Sequence, residues 1–247
     1  MELNRDDGSL PRRRALALIE LEPVEGTPGV AETLRRLCVA VSHDLHLAGA
    51  TVTLVPEVGS HAVTAASGPA ARRAEEMQFD AGEGPTRLAY LTGEPVMVAN
   101  LAEAVARWPG FAPAAAEAGM TSLAALPLQV GAAPLGAMTL YWGPATTGPS
   151  FQDLRRALVF ADLAAELLID SAYPPSDDDL DPGLHSALQT HGHIYQAQGM
   201  VMVDLDVGLA EALARMRAHA FATGEDLSTV ASRIVSGERV LSRGPVR

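Results

Sequence analysis

A short segment rich in proline and aspartate divides this sequence into two parts that follow different patterns. Residues 173–182 contain three prolines and four aspartates and show no apolar periodicity. Proline restricts the backbone and like charges stay hydrated, so this composition is typical of a stiff, solvated linker. We therefore predict an N-terminal extension, two domains separated by this linker, and a C-terminal tail. Their ranges are 1–27, 28–172, 173–182, 183–241 and 242–247.

The first part alternates between helical and extended patterns. Apolar residues recur at spacings of three and four over 29–46, which predicts a helix, and the β-branched run 50–55 predicts a strand. Gly131 to Pro134 is a hairpin signal between two further strands. The other predicted elements are strands at 61–66, 95–98, 122–128 and 135–141, and helices at 86–91, 102–118 (in two pieces) and 150–172. This order favours an α+β fold with an antiparallel sheet covered by helices.

The second part shows helical spacing alone. Apolar residues mark one helix from Leu184 to Met202, a second from Leu209 to Ala220 and a third from Leu227 to Val235. Gly224 follows the second helix at the position where glycine commonly ends a helix. We therefore predict an all-α three-helix bundle.

Charge and cysteine content exclude several classes of protein. The net charge is −12 and all 18 positive residues are arginine, so the chain is not a general nucleic-acid coat. Residues 183–247, however, carry six arginines and six acidic residues and are neutral overall. The one cysteine, Cys38, excludes an intrachain disulfide, and we expect a buried, inert thiol. No apolar run reaches about 18 residues and the N-terminus is not a signal peptide, so we expect a cytoplasmic protein.

Three segments of the second part carry a family pattern. They are His193 to Met202, with its Gln-Ala-Gln-Gly-Met run, Ala210 to Ala220, and Leu227 to Val235. In this order and spacing, residues 183–241 resemble the ANTAR domain, the RNA-binding antiterminator module of bacterial regulators. The resemblance implies that the protein binds paired hairpins in mRNA leaders and favours an antiterminator over a terminator.

Five segments of the first part resemble the GAF domain, a small-molecule-sensing fold. They are Gly82 to Pro85, Gly93 to Val98, Arg107 to Phe111, Gly119 to Leu128, and Leu135 to Leu140. Taken together, the two parts of the chain resemble the GAF–ANTAR regulators of actinobacteria. The resemblance implies that the GAF domain binds a small-molecule ligand. Since Cys38 is the only cysteine, and Thr86 stands where many relatives have cysteine, we expect a small, largely apolar pocket without a covalent chromophore.

The ANTAR resemblance selects candidate RNA-binding residues beside the apolar stripes of the helices. Guanidinium groups suit phosphates and amides suit base edges. We expect Arg217 and Arg233 to contribute most. The full set is Gln196, Gln198, Arg215, Arg217, His219, Arg233 and Arg239.

Other functions remain as alternatives. The neutral charge of 183–247 favours a ligand-sensing or protein-interaction module whose C-terminal helices mediate association without RNA. An enzyme is the weaker alternative, because no Ser/His/Asp or Cys/His constellation is present. No histidine group has convincing metal-ligand spacing, and we expect neither a metal nor a cofactor.

The last helix of the first part carries a heptad pattern. Its apolar residues step alternately by three and four, as in a coiled-coil seam: Phe151, Leu154, Leu158, Ala161, Ala165, Leu168 and Ala172. The pattern fits two interpretations, a dimer seam between two copies or a helix packed on its own sheet. We predict a homodimer through this helix.

Overall fold

The computed structural model describes residues 9–55, 62–131, 133–146, 148–172, 192–238 and 240–241. The predicted linker and tail, and the predicted site residue Arg239, lie outside these residues. Within them, α-helices and strands have the following bounds. The helices are α1 (Ser9–Leu21), α2 (Val30–Leu45), α3 (Pro69–Ala81), α4 (Pro85–Thr92), α5 (Ala112–Glu117), α6 (Phe151–Ala172), α7 (Gly192–Leu205), α8 (Leu209–Thr223) and α9 (Leu227–Val235). The strands are β1 (Gly49–Leu54), β2 (Ala62–Ala66), β3 (Val96–Val98), β4 (Ser122–Val130) and β5 (Ala133–Trp142).

The five strands pair as an antiparallel sheet in the order β2-β1-β5-β4-β3. The predicted hairpin is confirmed, since β4 and β5 pair directly across Gly131, whose φ of 57° suits glycine. Helices cover both faces of the sheet, so the predicted α+β architecture is also confirmed. The sheet therefore holds two sets of inward-facing side chains, one toward each helical layer.

One helical layer consists of α1, α2 and α6. It packs on strand residues such as Val52, Leu126 and Leu140, all of which are fully buried. Cys38 of α2 lies in the same core, and burial raises the pKa of its thiol to about 12. The prediction of a buried, inert thiol is therefore confirmed.

The opposite layer consists of α3, α4 and α5. Its apolar core includes Phe111, Leu123 and Tyr141, while Thr51 and Thr139 add hydroxyls to the same face of the sheet. These polar groups alternate with the apolar residues that face the first layer. The sheet thus presents an apolar face to α2 and α6 and a mixed face to α3 and α4.

Two helices were not predicted. Helix α1 lies within the segment interpreted as an extension, and its residues Ala15 and Ile19 are buried against the first core. Helix α3 begins at Pro69, where proline costs no helical hydrogen bond, and ends at Gly82 with a φ of 69°. Helix α3 positions most of the candidate site described below.

The heptad residues of α6 divide into two groups. Ala161, Ala165 and Leu168 are at most 7% exposed and pack in the core of their own domain. The dimer-seam prediction is wrong for these three, because contact with the sheet and α2 already buries them. Leu154 is partly buried against the same core, whereas Phe151 is 84% and Leu158 is 38% exposed. The homodimer itself stays a prediction.

Helices α7, α8 and α9 form a separate bundle. Its core contains fully buried alanines at the positions where helices cross, such as Ala197, Ala212 and Ala231. Small side chains allow backbones to approach closely at such crossings. Gly224, with a φ of 69°, ends α8 as predicted.

Candidate functional site

A buried polar cluster centres on Glu75, which α3 directs toward the sheet. Its Oε2 atom accepts a 2.6 Å hydrogen bond from the Tyr141 hydroxyl. The hydroxyls of Thr51 and Thr86 each donate to the same oxygen at 3.1 Å, and the Gln78 amide lies 3.3 Å away. Strands β1 and β5 and helices α3 and α4 therefore all contribute to one carboxyl group.

Gln78 joins the cluster to the start of α4. Its Oε1 accepts from the Thr86 amide at 2.9 Å, and its Nε2 donates to the Thr86 hydroxyl at 2.8 Å. Thr86 also shares a 2.7 Å hydrogen bond with Thr139. Gly84 makes room for this arrangement, since a Cβ there would stand 2.2 Å from Gln78 Oε1. The Gly82-to-Pro85 motif thus holds the amide of Gln78 against α4.

The surroundings of Glu75 change its protonation. Burial raises the pKa of its carboxyl, and the hydrogen bonds from Tyr141 and Thr86 oppose that rise. Burial and the nearby carboxyl raise the pKa of Tyr141 well above its usual range. Glu75 Oε1 and Thr53 Oγ1 are buried without a hydrogen-bond partner among the described residues. The cluster therefore combines hydroxyl and amide donors with two buried oxygen atoms, Glu75 Oε1 and Thr53 Oγ1, that can take part in further hydrogen bonds with a polar ligand.

Sequence reasoning found only part of this cluster. Thr86 was singled out, but Glu75 and Gln78 lie in the unpredicted α3. A signal was present: Thr51 and Thr53 alternate with apolar residues in β1, and Thr139 lies in the largely apolar strand β5. The cluster lies within the otherwise apolar core of the layer formed by α3, α4 and α5, and the expected small, largely apolar pocket stays a prediction.

The predicted RNA-binding glutamines lie in different environments. Gln196 is exposed on α7. Gln198 is buried, and its Nε2 donates a 2.8 Å hydrogen bond to the Leu209 carbonyl. The prediction that Gln198 contacts a base is contradicted, because its amide joins α7 to the start of α8.

Two predicted arginines are paired with carboxylates. Arg215 bonds Glu211 one turn earlier on α8, at 2.5 Å. Arg233 of α9 bonds Glu225 at 2.7 Å and Glu238 at 2.6 Å. Both carboxylates hold the pKa of the Arg233 guanidinium above its usual value. The positive charge of these side chains is thus neutralised locally.

Arg217 of α8 contacts the first domain, whereas His219 lies two residues further along the same helix. Arg217 Nη2 donates to the Phe79 carbonyl at 2.8 Å, and its guanidinium carbon lies 5.4 Å from the centre of the Phe79 ring. Arg217 Nε and His219 Nε2 are buried without a hydrogen-bond partner among the described residues. The predicted RNA-binding residues therefore do not form one free basic patch.

Comparisons with known families agree with this two-part arrangement. The GAF domain model matches residues 27–168, more than half of the chain. The chain belongs to the GAF domain family. The ANTAR domain model matches residues 183–235, so the protein is a GAF–ANTAR regulator. GAF and ANTAR domains are sensor and regulatory domains of signal transduction and not catalytic ones.

Solved structures share the fold of the GAF domain. One is the GAF domain of a phosphoenolpyruvate-protein phosphotransferase from Coxiella burnetii, at 14% identity and a TM-score of 0.51, covering 69% of this chain and 97% of that one. Another is the GAF domain of the Acinetobacter phosphoenolpyruvate-protein phosphotransferase, at 12% identity and a TM-score of 0.49, with the same coverage of 69% and 97%. At 14% identity, the likeness to the Coxiella burnetii domain shows the fold alone. No curated protein matches the chain.

Two kinds of feature are absent from the residues that the structure describes. None of their helices combines the length and apolar character needed to span a membrane. None of their His, Cys, Asp and Glu side chains gather in threes as a metal site requires.

Proposed function

We propose that this protein regulates transcription by antitermination. Its ANTAR domain binds paired hairpins in mRNA leaders, and its GAF domain controls that binding in response to a small molecule. The observation that carries the proposal is the ANTAR match over 183–235, on a segment whose α7, α8 and α9 pack as a three-helix bundle. Hairpin loops present unstacked bases, the part of RNA that proteins read for sequence.

The RNA surface includes exposed groups of the bundle. Gln196 is free to reach a base edge, and Arg215 and Arg233 lie at the surface in ion pairs. Surface ion pairs are weak, typically about 0–1 kcal/mol, so RNA phosphates can replace the carboxylates. Each arginine that changes partner in this way adds to the salt dependence of binding.

A salt titration of RNA binding tests this proposal. Two labelled probes are compared. The first is a synthetic RNA with two short hairpins of defined sequence, and the second is a pool of the same RNA in which the loop sequences are randomised. Arg233→Ala should lower the salt slope by about 0.7–0.9, the value for one phosphate contact, whatever the loop sequence. Gln196→Ala should relax loop preference at unchanged slope. Arg13→Ala, an exposed arginine of α1, is the matched control and should change neither property.

The sensor site of this function is the cluster around Glu75. Its hydroxyl, amide and carboxyl groups converge from four elements and suit a small polar ligand that exchanges hydrogen bonds with them. The regulator acts as a homodimer, which brings two ANTAR domains to two hairpins. Phe151 and Leu158 are the residues of the α6 heptad that are exposed for such a contact.

A second candidate function is protein association through the C-terminal bundle. The ion pairs of Arg215 and Arg233 favour it, since they leave less free positive charge for RNA. The same titration distinguishes the two functions. If the wild-type protein binds neither the defined two-hairpin RNA nor the randomised-loop pool at any salt concentration, protein association is the better assignment.

A further inference from the structure

The Arg217 guanidinium packs tightly against the carboxyl end of α3. The guanidinium donates to the Phe79 carbonyl at the carboxyl end of α3, where the helix dipole favours a cation. Gly82 follows with a φ of 69°, and a Cβ there would stand 2.8 Å from Arg217 Nη1. The absence of a side chain at Gly82 thus allows the arginine to lie across the end of the helix.

Phe79 connects the GAF domain to the core of the ANTAR bundle. Its side chain is 2% exposed and clusters with bundle residues that include Ile194, Met216 and Leu227. A GAF helix therefore supplies an aromatic side chain to the apolar core of the other domain. Loss of this side chain would weaken the contact between the domains more than the packing within the GAF domain.

The same contact buries polar groups at a cost. Burial lowers the pKa of Arg217, and its Nε atom has no hydrogen-bond partner among the described residues. Buried donors without partners are unfavourable, and an RNA phosphate offers acceptors for the guanidinium. The closed contact and RNA binding therefore compete for Arg217.

We propose that this contact is an autoinhibitory lock, an inference that rests on the proposed RNA-binding function. In the closed state, α3 withholds Arg217 from RNA. Glu75, in the sensor cluster, lies one helical turn before Phe79, so a ligand that displaces the Glu75 end of α3 also displaces the Phe79 end. Release of Phe79 opens the lock and frees Arg217 for a phosphate.

Two GAF-side variants of the full chain test the lock without altering the ANTAR sequence. Phe79→Ala removes the shared aromatic side chain, and Gly82→Ala places a methyl group against Arg217. Both should bind the synthetic two-hairpin RNA more tightly, Phe79→Ala on the order of 5–150-fold, the usual range for coupling between two sites. The salt slope should become steeper by roughly 0.7–0.9, because one more arginine meets a phosphate.

Matched controls separate opening of the lock from general damage. Gly93 ends α4 with a φ of 68°, nearly that of Gly82, and a Cβ there would approach Gln129 and not Arg217. Gly93→Ala therefore carries the same backbone strain and should leave RNA affinity unchanged. Combining Phe79→Ala with Arg217→Ala should abolish the gain in affinity and in slope.

Amide hydrogen exchange over α8 and α9 reports the contact independently of RNA. Faster exchange in Phe79→Ala and Gly82→Ala, together with tighter RNA binding, supports the lock. If exchange rises but RNA affinity equals that of the wild type, the lock is refuted and the RNA-binding function stands. If wild-type and variant proteins all fail to bind the RNA, the proposed function fails, and the lock fails with it.

Discussion

Replacement of Glu75 by alanine should strongly destabilise the GAF domain. The carboxyl is the hydrogen-bond acceptor for the buried hydroxyls of Thr51 and Tyr141, at 3.1 and 2.6 Å. Thr86 keeps a second partner in Thr139 when the carboxyl is lost. Two buried hydroxyls are therefore left without their acceptor.

The magnitude follows from these two groups. A buried donor that loses its acceptor costs about 1–3 kcal/mol, so Glu75→Ala should lower the free energy of unfolding by about 2–6 kcal/mol. Glu75→Gln should cost much less, because the amide oxygen still accepts from both hydroxyls. Its new NH₂ group takes the place of Glu75 Oε1, which has no hydrogen-bond partner among the described residues.

The pH dependence distinguishes the carboxyl from the amide. Burial raises the pKa of Glu75 above its ordinary value of 4.5, so the folded state binds its proton more tightly than the unfolded state does. Its contribution is fully present below pH 4.5 and decreases as pH rises through the raised pKa. Glu75→Gln cannot titrate, so its stability relative to the wild type should increase over that range.

Urea unfolding of the full chain, followed by circular dichroism at several pH values, measures these differences. The three proteins to compare are the wild type, Glu75→Ala and Glu75→Gln. A loss below about 1 kcal/mol in Glu75→Ala would refute the argument. Equal losses in the two variants would also refute it, because the amide would then not replace the carboxyl as acceptor.

Three further predictions concern other parts of the chain. Asp226→Ala should lower the free energy of unfolding by about 1 kcal/mol in urea, because its Oδ1 caps α9 at 2.6 Å; an unchanged midpoint would contradict this. Leu158→Glu should shift the homodimer toward monomer in sedimentation velocity, because the partly exposed Leu158 side chain lies on the proposed interface. A wild-type protein that is monomeric at micromolar concentration would refute the proposed homodimer. Gln198→Ala should destabilise the bundle by about 0.5–1.5 kcal/mol, because the hydrogen bond to the Leu209 carbonyl is lost. Gln196→Ala should leave the stability unchanged, and thermal unfolding of the two variants measures the difference.

The sequence alone determined those features that depend on neighbouring residues. Periodic apolar residues predicted α2, α6 and the bundle helices, and glycine at 131 and 224 marked the hairpin and the end of α8. Hydrophobic period and turn chemistry act over a few residues, so they are visible along the chain. Helix α3 was missed because its buried face combines alanines with the polar residues Glu75 and Gln78, which breaks the apolar pattern.

The tertiary structure decided which polar groups meet. Tyr141 reaches Glu75 across 66 positions of the chain, and Arg217 reaches Phe79 across 138. No local pattern records such pairs, because a carboxyl or a guanidinium has the same sequence signature whether it is solvated, paired or buried. The heptad of α6 shows the same limit for apolar residues: a stripe predicts burial, but only packing determines whether the sheet of its own domain or a second copy covers each residue.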